Sequence, residues 1–358
     1  MFVKKRLSRS LSIIAICMVL FTLFMWVYQN SQEPIKVVEK IEYDGRIEVL
    51  EESTIDLDAA PVEKLGEIKK ILANNAKLRN YYTLESDSDS ILILTPIKDG
   101  ANYLSQYFSL IDKLQYPRNS ISIAFLVSDS TDNTQQILLN KQKWYQEKGP
   151  VEQRFKRFEI YRKDFFYILP RNQRHKFNTQ RERRTVMARA RNYLWTRALE
   201  NEQWVVWIDS DLKEYPSTII KDLMAYNKDI IVPICMLNKT KPGGPIRHVF
   251  YDYNAWQETD ASRKMLAGLK DTDFLAEDAK YIKTGRKYLS KFQNQEIVPL
   301  DGIGGTFTLV KSYVHRSGVG FPTWLVEHQV ETEGFAKLAK INGFGVYGLP
   351  SYRIIHAG

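Results

Sequence analysis

Trp204-Val205-Val206-Trp207-Ile208 is an uninterrupted apolar run that leads straight into Asp209-Ser210-Asp211. A run so short and so apolar suits a strand buried on both faces, with the acidic turn at its carboxyl end. A strand of that kind needs helices above and below its sheet, and the chain from Ser90 onward alternates strand and helix patterns. Ile91 to Thr95 reads as a buried strand, followed by a helix whose Leu104, Tyr107, Phe108, Ile111 and Leu114 share one stripe. Ile121 to Val127 is the next strand, then a helix from about Asp132 to Lys148. Phe158 to Tyr161 is a third strand and Glu182 to Glu200 a long helix. Pro216 opens a helix to Asn227. Ile230 to Met236, Thr306 to Val310 and a short Gly345 to Tyr347 segment read as strands, with a helix from Val330 to Ile341. The expectation is an α/β fold with a mainly parallel central sheet flanked by helices, its ligands bound at the strands' carboxyl ends. The stretch 243 to 298 reads as irregular insertion.

Asp-x-Asp alone means little, because the chain contains it at 56/58, 87/89, 209/211 and 271/273. Only Asp209 and Asp211 follow a buried strand and precede a helix. Two hard oxygen ligands there suit Mg²⁺ or Mn²⁺ bridging a diphosphate; the bland alternative is a polar turn. Thr95-Pro96-Ile97-Lys98-Asp99 and Ser128-Asp129-Ser130-Thr131-Asp132 follow the first two strands and suit a base and ribose, although Asp129 and Asp132 are equally natural helix caps. Dinucleotide and ATPase signatures are missing: there is no Gly-x-Gly-x-x-Gly and no Gly-Lys-Ser/Thr loop.

Between Arg171 and Arg191 lie eight Lys or Arg and one acid, Glu182. Most of these charges read as a solvated face. Arg189, Arg191 and Asn192 differ, because the helix turns apolar just beyond them, and an arginine there suits a phosphate or sugar. Asp301-Gly302-Ile303-Gly304-Gly305 permits close backbone approach to a ligand, or is a tight turn. Glu331 and Glu333 open a helix, where the macrodipole alone favours acids. His356 near the chain's end is, taken alone, more often structural than a ligand.

The net charge is +9, and no zinc-ligand spacing, RNA-binding signature or zipper supports nucleic acid as the partner. The two cysteines, Cys17 and Cys235, offer no disulfide framework; Cys235 reads as a small buried hydrophobe. Leu11 to Tyr28 is apolar and uncharged, about 27 Å long as a helix, and preceded by Lys4, Lys5, Arg6 and Arg9. It reads as an uncleaved signal-anchor with the N-terminus cytosolic and the remainder luminal. The expected organisation is a cytosolic tail (1–10), a transmembrane segment (11–28), a stem (29–88) carrying a helix from Pro61 to Asn80, and a catalytic domain (89–358). A sequon stands at Asn238-Lys239-Thr240.

Taken in order, ILILTP, VSDST, RRTVMARARNYL, WVVWIDSDL, YDYNAWQE, DGIGGTFTLVK, FPTW, ETEGFAKLAK and YGLPSYRIIHA resemble the fungal mannan-polymerase mannosyltransferases over about residues 90 to 357. The resemblance implies a GT-A fold and single-pass type II proteins of the Golgi, in the cis-Golgi, that work as hetero-oligomers with other mannan-polymerase subunits. It further implies GDP-mannose as donor, Mn²⁺ as cofactor (Mg²⁺ the alternative), a mannose-containing N-glycan as acceptor, and retention in an α-1,6-linked product. Carried over by position, Asp209, Asp211 and His356 match metal ligands. Thr95, Pro96, Asp129, Arg191 and Asn192 match donor-side positions, and Asp301, Glu331 and Glu333 match catalytic, acceptor-side ones. Ser210 departs from the more usual Ala or Val, and 274 to 298 fits loosely. Two other readings stay open: a non-catalytic scaffold subunit, and a transferase for another nucleotide-sugar.

Overall fold

The computed structural model describes residues 35–43, 46–55, 89–170, 173, 176–239, 244–275 and 284–357. The expected membrane segment 11–28, the stem helix 61–80 and most of the stem lie outside the described residues. Among the described residues no helix is long and apolar enough to cross a membrane. The chain divides into two compact units, residues 1–68 and 69–358. In the first, β1 (Ile35–Tyr43) and β2 (Arg46–Ile55) pair antiparallel, within the segment expected to be stem.

The second unit follows the alternation closely. In order come β3 (Ile91–Ile97), α1 (Ala101–Asp112), β4 (Ile121–Val127), α2 (Thr134–Lys143), β5 (Arg157–Arg162) and α3 (Phe177–Ala198). Then follow β6 (Trp204–Ile208), β7 (Leu212–Glu214), α4 (Ile219–Ala225) and β8 (Ile230–Lys239). The expected irregular stretch contains β9 (Arg247–Phe250), β10 (Trp256–Gln257), α5 (Asp260–Leu266), β11 (Lys287–Tyr288) and β12 (Val298–Pro299). The unit closes with β13 (Phe307–Lys311), α6 (Ser312–Arg316), α7 (Glu331–Ile341) and β14 (Val346–His356).

The sheet corrects the expectation of a mainly parallel one: it is mixed. Its order is β12-β14-β8-β13-β6-β3-β4-β5. The β6-β3-β4-β5 half is parallel, but β13 runs antiparallel to both neighbours, β6 and β8. The chain passes from β8 through β9 and β12 before it enters β13, which lies beside β8 and runs opposite to it. The apolar content of β13 matches that of a parallel strand, so its direction leaves no mark in the sequence. The second correction concerns β14. Expected as a short segment, it runs for 11 residues, and Pro350 is absorbed in an irregularity between Leu349 and Arg353 where it pairs with β8.

Strand alternation sorts the core onto two faces. Ile91, Ile93, Val206 and Ile208 pack with Leu104, Phe108, Leu138 and Ile220 on one side. Leu92, Leu94, Val205 and Trp207 pack with Ala188, Leu194 and Phe335 of α3 and α7 on the other. Both faces are covered by helices, as continuous apolar strands require. Cys235 is 1% exposed in this core, and burial pushes its thiol up.

Candidate active site

Strands β3, β4 and β6 end side by side, so the loops after Ile97, Val127 and Ile208 meet at one edge of the sheet. There they border a cavity of about 270 Å³, lined among others by Pro96, Lys98, Asp129, Arg191, Asp209 and Asp211. The first two loops are locked together. Asp99 Oδ1 accepts the Thr131 N–H at 2.7 Å, and Asp132 Oδ2 accepts the Ala101 N–H at 3.0 Å. Asp132 Oδ1 also accepts the Thr134 N–H at 3.0 Å, a local turn just before α2, so this carboxylate fixes the chain there as well as joining the loops. The hydroxyl of Thr95 is fully buried and donates to the Ile208 carbonyl at 2.8 Å, tying β3 to β6 behind the cavity. Pro96 faces the cavity. Asp129, with φ 47, accepts the N–H groups of Phe165 and Phe166 at 3.2 and 2.9 Å. It thereby holds the strap 164–169, whose Tyr167 and Leu169 line the same cavity; Lys98 Nζ grips the strap again at the Tyr167 carbonyl, 2.8 Å away.

Asp209 and Asp211 stand on the turn between β6 and β7. Because β14 pairs antiparallel with β7, His356 lies opposite Leu212, and its Nε2 comes 3.2 Å from Asp211 Oδ1. The Ala357 N–H donates to the Asp211 carbonyl at 2.9 Å, and the Tyr251 ring stacks on the imidazole at 4.0 Å. Burial pushes the His356 imidazole down, but the hydrogen bond and charge of Asp211, with Asp209 and Asp252, more than offset it and raise it above its ordinary value. Burial raises the Asp209 carboxyl against the pull of Arg191, and the charges of Asp211 and Glu331 push it the same way. An excess of negative charge here is what a divalent cation would relieve. Among the described residues, no three His, Cys, Asp or Glu already stand in a ligating cluster. The donor set of two carboxylates and one imidazole nevertheless fits Mn²⁺ or Mg²⁺, with the imidazole favouring Mn²⁺.

Arg191 is 2% exposed and joins Asp209 to Glu331 of α7. Its Nε donates to Glu331 Oε1 at 3.0 Å and its Nη2 to Asp209 Oδ1 at 3.4 Å, while Trp207 and Phe321 flank the guanidinium. Nη1 is buried and makes no hydrogen bond. Glu331 sits at φ 55, an uncommon conformation for a residue with a Cβ. Asn192 points elsewhere: its amide clamps the backbone of Phe321, with bonds of 2.7 and 2.8 Å. Glu333 is fully buried, bound to Arg184 and to Trp256 Nε1, the latter at 3.0 Å. Asp301 lies on a different cavity, paired with Lys340 and accepting the Glu258 N–H at 2.7 Å. Burial pushes its carboxyl up, yet these bonds outweigh that and hold it below the ordinary range.

Two residues of the site escaped the sequence reading. Arg184 was grouped with a solvated face but is 8% exposed. The available signal was its spacing: Arg184, Ala188, Arg191 and Leu194 recur on one helix face, all buried. Asp252, within the expected irregular stretch, is 8% exposed beside Thr306, and burial raises its carboxyl. The glycines at 304 and 305 have the role of close approach, but toward the protein's own side chains. A Cβ at Gly304 would overlap the Asp252 carboxylate, and one at Gly305 the Arg191 guanidinium.

Residues 71–325 match the Anp1 family model, and the chain belongs to this family. It is 36% identical over 303 residues to the mannan polymerase complex subunit mnn9 of Schizosaccharomyces pombe, covering 82% of this chain and 85% of that one. It is also 36% identical over 290 residues to the mannan polymerase II complex ANP1 subunit of Saccharomyces cerevisiae, covering 78% of this chain but 58% of that subunit's length. Among solved structures it is similar to the mannosyltransferase PcManGT from Pyrobaculum calidifontis in complex with GDP-Man and Mn²⁺. That likeness has a TM-score of 0.36 at 15% identity, over 83% of this chain and 69% of the other, and at that score it carries no argument.

Proposed function

We propose that the chain is a metal-dependent retaining mannosyltransferase. It moves mannose from GDP-mannose onto an N-glycan outer chain in α-1,6 linkage, as one subunit of a mannan-polymerase hetero-oligomer in the cis-Golgi membrane. Residues 11–28 would anchor it there in type II orientation. The observation that carries the reading is the contact of His356 Nε2 with Asp211 Oδ1 at 3.2 Å, on the turn whose Asp209 and Asp211 line a cavity bordered by the β3 and β4 loops.

Asp209, Asp211 and His356 would hold the ion. When bound, Mn²⁺ would act as a Lewis acid on the departing diphosphate. The Pro96 and Asp129 loops suit the nucleoside side of the donor, with Tyr167 of the strap lining the same cavity. Lys98 at the rim and the unpaired Nη1 of Arg191 are cationic groups placed to take phosphate or sugar oxygens. Transfer breaks the bond from the anomeric carbon to the phosphate oxygen and forms one from that carbon to the acceptor oxygen. The acceptor's proton goes to the departing phosphate, so no side chain need form a covalent intermediate. Glu331, buried beside Arg191, and Asp252, buried beside Thr306, would orient the acceptor hydroxyl.

Product-linkage analysis with GDP-mannose, Mn²⁺ and short mannose oligomers tests the proposal. One mannose added in α-1,6 linkage, lost in EDTA, is expected. No turnover, even with partner subunits present, would favour the scaffold reading, and a tighter hold on UDP than on GDP would favour another nucleotide-sugar.

A further inference from the structure

A second cavity of about 760 Å³ lies between α5, the 325–328 turn and the last turns of α7, and the mechanism above makes no use of it. Its volume falls within the range of small-ligand sites, roughly 300–1,000 Å³. Most of the charge along its wall is matched in pairs, with Arg263 and Asp271 on the wall beside them. Lys337 Nζ reaches Glu327 Oε2 at 2.8 Å and Glu258 Oε1 at 3.2 Å, and Lys340 pairs with Asp301. Its anions and cations are thus interleaved, unlike a phosphate site, which needs an excess of cations, or a metal site, which needs converging anions. Leu266, Leu325 and Ile341, from three separate elements, line the same cavity. Trp324, 61% exposed, directly precedes Leu325.

We propose that this cavity binds a neutral, hydroxyl-rich chain, an oligosaccharide. A sugar ring offers vicinal hydroxyls that donate to one group while accepting from its neighbour, which interleaved carboxylate and ammonium pairs satisfy without either charge being left alone. Its C–H faces need apolar wall, and the three aliphatic side chains supply it. The ion pairs are preorganised: Glu258 and Lys337 are buried, and Glu258 is held further by Arg286 at 3.0 Å. The rim is fixed as well. Val326 and Gln329 exchange both backbone hydrogen bonds, at 2.8 and 3.0 Å, around Glu327 and His328, whose φ values are 46 and 69. That turn places Glu327 on the wall. Helix α7 spans the two sites, with Glu331 and Glu333 in its first turn and Lys337 and Lys340 further along. A chain held in the second cavity is therefore held by the helix that carries the acceptor-side acids. The choice of mannose oligomers as the chain rests on the proposed function.

The test is calorimetric titration of the full chain with α-1,6-mannotetraose in EDTA and without nucleotide, alongside GDP with Mn²⁺ on the same wild-type protein. Saturable mannotetraose binding is expected, weakened at least about fivefold by Leu325→Arg and by Glu327→Gln. Melting curves serve as the folding check; Glu327→Gln, conservative and on the rim, decides the matter should Leu325→Arg fail to fold. Absence of saturable binding, or a Glu327→Gln protein that binds like wild type, overturns the site, as does displacement of the oligosaccharide by inorganic pyrophosphate. The two proposals fail separately. Mannotetraose binding without GDP binding removes the donor reading and leaves this site standing, and the reverse removes only this site.

Discussion

Arg191 Nε donates to Glu331 Oε1 at 3.0 Å across 140 positions of sequence, joining the middle of α3 to the first residue of α7. Both side chains are almost fully buried, and the same guanidinium reaches Asp209. One arginine therefore balances charge for an acid on the β6–β7 turn and an acid at the start of α7.

Removing it should be costly to the fold. Arg191→Met leaves Glu331 buried without its counter-charge, and loss of one partner of a buried pair costs about 3–5 kcal/mol. Urea unfolding should report that loss, and adding Glu331→Gln to Arg191→Met should recover a large part of it. A single variant as stable as wild type would show that the pair contributes no net stability.

His315 should make stability depend on pH. It is fully buried against Trp195 and Phe335, its Nε2 accepts the Trp207 indole N–H at 3.2 Å, and its Nδ1 donates to the Val319 carbonyl at 2.9 Å. This arrangement needs the neutral ring, and burial pushes the imidazole down to about 4. The sign follows. Below about 6.5 the unfolded chain takes up a proton that the folded one refuses until about pH 4. The histidine thus costs nothing above 6.5, and stability falls steadily from 6.5 to 4, by about 3 kcal/mol in all. Unfolding free energies across that range should lose this slope in His315→Phe. Identical slopes in the two proteins would contradict the account.

Gly304→Ala tests the close approach beside the site. Its Cβ would enter the space of the Asp252 carboxylate, so overpacking of about 1–3 kcal/mol is expected in thermal unfolding. Gly318→Ala is the useful contrast: nothing lies within 4 Å of its added Cβ, and any cost there comes from φ 88 alone. A Gly304→Ala protein that melts like wild type would contradict that close approach.

The parts legible in the sequence were those set by local pattern. Ile121–Val127 and Trp204–Ile208 have the ends expected from their apolar runs, and the stripe Leu104 to Leu114 is buried as its spacing requires. The illegible parts depend on where distant chain returns. The reversed direction of Phe307–Lys311 shows in its pairing with β6 and β8, not in its composition. Arg184 shares a helix face with Ala188 and Leu194, but its partner Glu333 comes from α7, which no local pattern announces. Thr95 and Asn192 were read as donor-side groups from their motifs; their hydrogen bonds go to Ile208 and Phe321, contacts no local pattern announces.

The central claim is that Asp209, Asp211 and His356 act on one divalent ion that holds the donor's diphosphate. Calorimetry of GDP binding, in Mn²⁺ and in EDTA, measures it most directly. The account predicts that wild type binds GDP only with Mn²⁺. Asp211→Asn and His356→Ala should each lose at least about tenfold, or about 1.4 kcal/mol, with metal-free melting temperatures almost unchanged. The double variant should be little weaker than either single one, since both ligands act through the same ion. Full Mn²⁺-dependent GDP affinity in His356→Ala, or wild-type binding as tight in EDTA as in Mn²⁺, would contradict the account.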